Sequence, residues 1–260
     1  IGGEVLAVVT FYLLAEGGSP LPRRRWTAIR PKLAWIYGAA AGVLALSAAI
    51  IGGWWTLLLW PAVSLALVCC AYSGAGAAVF QKRNGRLSWP AAALLAPYLL
   101  GALVWLRINR HDPYAEVAPG LYVGRRLHAS ETRSAPLRGV VAVLDATAEH
   151  YEAAPFRKLH YKNVQLLDLT APDIAQLREA VAFIREQIPR GDVYVHCALG
   201  ISRSCGVAAA YLLAAGIEDS VESAIARVQR ARPRTTLGPK WRALLAEFHA
   251  AMIPAKAAAR

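Results

Sequence analysis

Val193-Tyr194-Val195-His196-Cys197-Ala198-Leu199-Gly200-Ile201-Ser202-Arg203-Ser204 decides how this chain is read. Val193–His196 has the make-up of a short buried strand, and Ser204–Ala215 is an apolar run of helical length closed by Gly216. A strand therefore runs into Cys197, a tight loop follows, and Arg203 opens a helix. In that arrangement the loop amides and the helix N-terminus point at one spot and form an anion site. The same field stabilises a thiolate on Cys197. Arg203 offers a planar fork matched to two phosphate oxygens. Gly200 lets the backbone curl without a side chain blocking the pocket. The expected chemistry is in-line attack of the Cys197 thiolate on phosphorus, giving a phosphocysteine. Arg203 and the loop of Ala198, Leu199, Gly200, Ile201 and Ser202 would hold the equatorial oxygens. Ser204 is expected to donate a hydrogen bond to the sulfur. His196 either orients the loop through the backbone or is a strand-end histidine satisfied by packing.

A leaving oxygen also needs a proton. The candidates lie in Leu166-Leu167-Asp168-Leu169-Thr170-Ala171-Pro172-Asp173. Asp168 is expected to end a strand over Val164–Leu167, on the same sheet edge as Cys197, and is the chosen acid. Asp173 is expected to cap the helix that follows, an amphipathic segment from Pro172 to Gln187. Further strands are expected at Gly120–Val123 and Val140–Leu144. Further helices are expected from a cap at Asp219 or Ser220 to Arg230, and at Trp241–Met252. Strands alternating with helices predict an α/β domain with a central sheet.

The chain is 56% hydrophobic, above the usual share, and the excess is concentrated before residue 107. Four apolar stretches stand there: Val5–Ala15, Leu33–Gly52, Trp55–Tyr72 and Leu87–Leu106. The longer ones match the hydrocarbon thickness of a bilayer, and tryptophans lie near their ends. A helical membrane domain over 1–113 and an α/β domain over 114–260 are the expected division. The first part holds ten Lys or Arg against three acidic residues, and the whole chain is +12. Arg23, Arg24, Arg25, Arg30 and Lys32, then Lys82, Arg83 and Arg86, sit beside apolar runs, as anionic lipid at a cytoplasmic face would favour. Pro97 is expected to break the last stretch, which would re-enter, lie in the interface or span. The expected location is an inner or plasma membrane with the α/β domain cytoplasmic. No recognition motif accompanies the basic charge, so nucleic acid is not an expected partner. Cys69 and Cys70 read as packing residues, and no metal-ligand spacing is present.

The loop resembles the H-C-x5-R-S/T signature of the protein tyrosine phosphatase superfamily, in its dual-specificity branch. The likeness extends to Pro119–Gly124 as that domain's opening strand, to Val140–Asp145 as a core strand, and to Tyr161–Asp168 as the segment delivering the family's acid. It covers about residues 117–250. It implies the dual-specificity fold, a phosphocysteine intermediate, and neither metal nor cofactor. Thr235-Thr236-Leu237-Gly238-Pro239 departs from the asparagine-glycine element that the family usually carries before its last helix. The uncharged loop interior, Ala198, Leu199 and Ile201, argues against a multiply phosphorylated headgroup. A membrane-tied enzyme of this type would act on a phospholipid monoester such as phosphatidylglycerophosphate, a substrate of a related mitochondrial branch. Alternatively it would act on phosphotyrosine or phosphoserine of membrane-associated proteins, or serve as a weakly active phosphate-binding module. Cys205 either protects an oxidised Cys197 through a disulfide or packs in its helix.

Overall fold

The computed structural model describes residues 29–134 and 137–258, with 252–258 as backbone only. Val5–Ala15 and the Arg23–Arg25 cluster lie outside the described residues. The chain forms two compact units that divide between Ile108 and Asn109. That division falls a few residues before the expected one. Residues 111–113 are tied into the second unit: the carbonyls of His111 and Pro113 accept from Nε and the amide of Arg125, and that of Asp112 accepts from Arg232.

The first unit is helical. α1 (Pro31–Ile51) is followed by a helical run from Gly53 to Phe80 that contains α2 (Leu59–Cys70) and kinks at Gly74. A small hairpin, β1 (Lys82–Arg83) and β2 (Arg86–Leu87), leads into α3 (Trp89–Ile108). Asn84 and Gly85 supply the two positive φ angles that its tight turn requires. Three helical segments, Pro31–Ile51, Gly53–Phe80 and Trp89–Ile108, are long and apolar enough to cross a membrane by length and composition. In α1 the burial is the reverse of that in a water-soluble bundle. α1 buries the small residues Ala34, Ala41 and Ala48 and exposes Trp35, Ile36, Leu46 and Ile50. Small residues between helices with large apolar ones outside is the pattern of association in lipid.

Pro97 lies inside α3 without breaking it, contrary to expectation. A mid-helix proline frees the carbonyl four residues earlier. Here that carbonyl, on Ala93, accepts the indole N–H of Trp60 at 2.9 Å, and the amide of Tyr98 donates to Ser64 Oγ at 3.3 Å. The neighbouring helix thus supplies the partners that let a proline persist in an apolar helix.

The second unit is an α/β domain. Its strands are β3 (Tyr114–Ala118), β4 (Leu121–Arg125), β5 (Val140–Asp145), β6 (His160–Asn163) and β7 (Asp192–Cys197). They form one sheet in the order β3-β4-β7-β5-β6, with β3 antiparallel and the rest parallel. The helices are α4 (Ile174–Gln187), α5 (Arg203–Ala214), α6 (Val221–Ala231) and α7 (Pro239–Ala258). The central strand β7 is buried from Val193 to Cys197, as a parallel strand covered on both faces must be. Every residue of α5 is buried. Asp173 and Ser220 cap α4 and α6, each in a reciprocal capping box.

The expected strand at Val164–Leu167 is absent; β6 occupies His160–Asn163 instead. Val164 still donates to the carbonyl of Asp145. Beyond it the chain leaves the sheet, and the Leu166 carbonyl serves Ala148 N–H and Arg203 rather than a ladder partner.

Candidate active site

Parallel strands deliver their last residues to one edge, and a ligand site forms there where loops diverge. β4 ends at Arg125, β5 at Asp145, β6 at Asn163 and β7 at Cys197, so these four define the edge. Cys197 leads into a loop whose Gly200 has φ +70 and which turns into α5 at Arg203. The sulfur of Cys197 accepts from the amide of Gly200 at 3.2 Å and from the hydroxyl of Ser204 at 3.3 Å. Burial pushes this thiol up. The Arg203 charge, the Ser204 hydroxyl and the amides of Ser204 and Gly200 outweigh it, so the thiol lies below its ordinary value.

Arg203 is 2% exposed, and a buried guanidinium must be paired. Its two terminal nitrogens meet Glu149 as a bidentate fork, at 2.8 and 3.1 Å. One also donates to the Leu166 carbonyl at 2.8 Å, and the other meets Asp168 Oδ1 at 3.0 Å. Burial pushes the Glu149 carboxyl up, but the Arg203 and His150 charges and the Arg203 hydrogen bonds hold it below the usual carboxylate range. The site is therefore charged and fixed before any ligand arrives.

Asp168 sits in a turn, five residues past the end of β6, and not at a strand end as expected. It still reaches Arg203, with half of its side chain exposed to solvent. Its neighbour Leu169 has φ +55 and is 57% exposed, a conformation costly for a branched side chain. Asp173 caps α4, its Oδ1 accepting from the amide of Gln176 at 2.8 Å. His196 is buried, with Nδ1 3.3 Å from the Cys197 carbonyl.

Glu149 and Glu152 escaped the sequence reading. Both belong to the loop after β5, in Thr147-Ala148-Glu149-His150-Tyr151-Glu152. The available signal was two glutamates and a histidine within four residues, in the loop that follows a core strand. Cys205 is buried: its thiol donates to the Gly200 carbonyl at 3.3 Å and accepts from Thr235, and burial pushes it up to about 12. The departing segment Thr235–Pro239 also supports the loop, through Thr236 N–H on the Ile201 carbonyl at 2.9 Å. A cavity of about 140 Å³ opens beside Ile201, with Arg232, Arg234 and His111 in its wall.

The dual specificity phosphatase catalytic-domain family matches residues 121–251. Dual specificity protein phosphatase 2 of Mus musculus is 36% identical over an alignment covering 38% of this chain and 31% of the relative. Dual specificity protein phosphatase 26 of Bos taurus is 31% identical, covering 62% of this chain and 78% of the relative. The chain thus spans under a third of the first relative's length and most of the second's. Among solved structures, PTPMT1 in complex with PI(5)P is similar, with 26% identity, a TM-score of 0.50, and coverage of 56% of this chain and 99% of that one.

Proposed function

The chain belongs to the dual specificity phosphatase family, and on that premise we propose that it is a membrane-anchored phosphatase working through a phosphocysteine. In this reading Cys197 attacks the phosphorus and Asp168 protonates the leaving oxygen. Ser204 stabilises the sulfur when water displaces it from phosphorus. A phosphate dianion entering the loop competes with Asp168 for Arg203, which frees the carboxyl to face the leaving group. The observation that carries the proposal is the convergence of Arg203 on Asp168 at 3.0 Å, with the Cys197 sulfur in the same loop held by Gly200 and Ser204. A passive phosphate-binding module has no need of an acid there.

The favoured substrate is a phospholipid monoester such as phosphatidylglycerophosphate. Three apolar helices of spanning length, with Trp35, Trp54, Trp89 and Trp105 among the large side chains turned outward, suit a bilayer, which would bring the loop near headgroups. The uncharged loop interior suits one phosphate, and Arg232 and Arg234 beside Ile201 suit a neighbouring phosphodiester. A related fold has been solved with a phosphoinositide. A protein substrate is the second reading, favoured by the relatives named as protein phosphatases.

The full chain in detergent, assayed on phosphatidylglycerophosphate and on a phosphotyrosine peptide, tests this. Faster release from the lipid is expected, with none from Cys197→Ser. Asp168→Asn is expected to lose about 10²–10⁴-fold on the lipid, whose alkoxide leaves poorly, and less on an aryl ester. Release from the peptide alone would move the assignment to protein substrates. No release from either would sink the phosphatase reading.

A further inference from the structure

The chain enters the α/β unit at its catalytic edge. α3 ends at Ile108, and two residues later Arg110 pairs with Glu131, a reach of at most about 7 Å of extended chain. Glu131 also meets Arg125 at 2.7 Å, and Arg125 Nε donates to the His111 carbonyl at 3.0 Å. Arg125 ends β4 directly opposite Cys197 on β7. His111 and Asp112 then wall the cavity beside Ile201 of the phosphate loop. A helix long and apolar enough to span a membrane thus hands the chain over within a few residues of the Cys197 loop, and not at the opposite edge where the parallel strands begin. The end of that helix also carries a boundary mark. Trp105 is exposed and Arg107 stands in the last turn, and an aromatic beside a cation is what the border between hydrocarbon and headgroups selects.

The exposed apolar side chains of the α/β unit fit that entry point. Among its described residues, Tyr151, Leu169 and Ile217 are the large apolar ones that are exposed. Ile217 follows the far end of α5, whose 12 residues put about 18 Å of helix between it and the phosphate loop. The other two stand at the catalytic edge. Leu169 adjoins Asp168, which meets Arg203. The Tyr151 carbonyl accepts from Arg126 Nε, and the Arg126 amide donates to the Ala198 carbonyl of the loop. A single exposed leucine has no meaning by itself. Leu169, however, holds φ +55, a conformation that Gly or Asn adopts at less cost, and turns more than half of its surface to solvent. A partner outside the domain gives that side chain a use.

We propose that the catalytic edge docks on the lipid surface itself, with Leu169 and Tyr151 entering the headgroup layer beside the Cys197 loop, so that a lipid phosphate meets the loop without leaving the bilayer. The proposal rests on the reading of the apolar helices as membrane-spanning. A bilayer is the occupant, and not a protein, because the tether holds this edge within a few residues of the hydrocarbon border. The full chain is placed in bilayer discs of phosphatidylcholine and phosphatidylglycerol that carry a phosphatidylcholine with a diazirine high on one acyl chain. After irradiation, mass mapping is expected to find adducts on the Tyr151 and Leu169 peptides as well as on α1 and α3. In the same discs Leu169→Asn, which suits φ +55, is expected to slow release from phosphatidylglycerophosphate about tenfold and to leave hydrolysis of a small soluble aryl phosphate unchanged. Adducts on the helices but on neither loop would leave the patch to a protein partner and overturn the proposal. So would an unmoved lipid rate, or an equal loss on both substrates, which would mean that Leu169 shapes the pocket. The labelling can be read even if the variant fails to fold. Failure of the underlying readings looks different: no adducts on α1 and α3 removes the anchoring and the docking together, whereas labelled loops in a chain that releases no phosphate keep the docking and remove the phosphatase.

Discussion

Arg203→Lys is expected to lower kcat/KM for phosphate release by about a thousandfold, the scale of losing a preorganised donor to transition-state charge. The loss follows from geometry. Arg203 meets both oxygens of Glu149, the Leu166 carbonyl and Asp168 at once. One ammonium cannot keep those contacts and grip two phosphate oxygens as well. The substitution also leaves buried Glu149 with half of its fork, so a fall in melting temperature should accompany the loss. Glu149→Gln separates the two effects. It keeps the guanidinium but removes its buried counter-charge, a change on the order of 3–5 kcal/mol when such a pair is broken. Steady-state kinetics and thermal unfolding of both variants read the result. An Arg203→Lys enzyme within about tenfold of wild type would mean that the fork is not the phosphate grip.

Gly200→Ala should be nearly as damaging, for a steric reason. A Cβ at position 200 would lie 2.5 Å from the Gly124 carbonyl carbon and 2.6 Å from the Arg125 amide nitrogen. Both are backbone atoms of β4, a strand paired on both sides, and neither can swing away. Alanine would also have to keep φ near +70, at about 1–2 kcal/mol. The loop must therefore open. That withdraws the Gly200 amide from the Cys197 sulfur and the Gly200 carbonyl from Arg232 and Cys205. The expected outcome is at least a hundredfold loss of activity, of the order seen when one anion-stabilising donor goes, together with a raised Cys197 thiol. Full activity in Gly200→Ala would show that the close approach to β4 has no part in shaping the pocket.

The loop from Cys197 to Ser204 was legible because its chemistry is local: strand, turn and helix start follow within a dozen residues. The cap at Asp173 was legible for the same reason, and the next one was narrowed to Asp219 or Ser220, of which Ser220 is the cap. Glu149 and Glu152 were not legible, because they lie 54 and 44 residues before their partners Arg203 and His196. Nothing local announces that β5 will pair with β7. Asp168 was expected at a strand end, but it reaches Arg203 from a turn. Its apolar approach, Val164 to Leu167, is buried like a strand, but its backbone groups are spent on Ala148 and Arg203 instead of on a ladder. Pro97 misled in the same way. The rule that proline breaks a helix presumes an orphaned carbonyl, and the sequence cannot show that Trp60 will reach it.

The most direct test is to stop the reaction during turnover with a rapid denaturing quench and map where the phosphoryl group sits. Phosphate on the Cys197 peptide, absent from Cys197→Ser, is the predicted result. Phosphate on another residue, or steady release with Cys197 never labelled, would contradict the account.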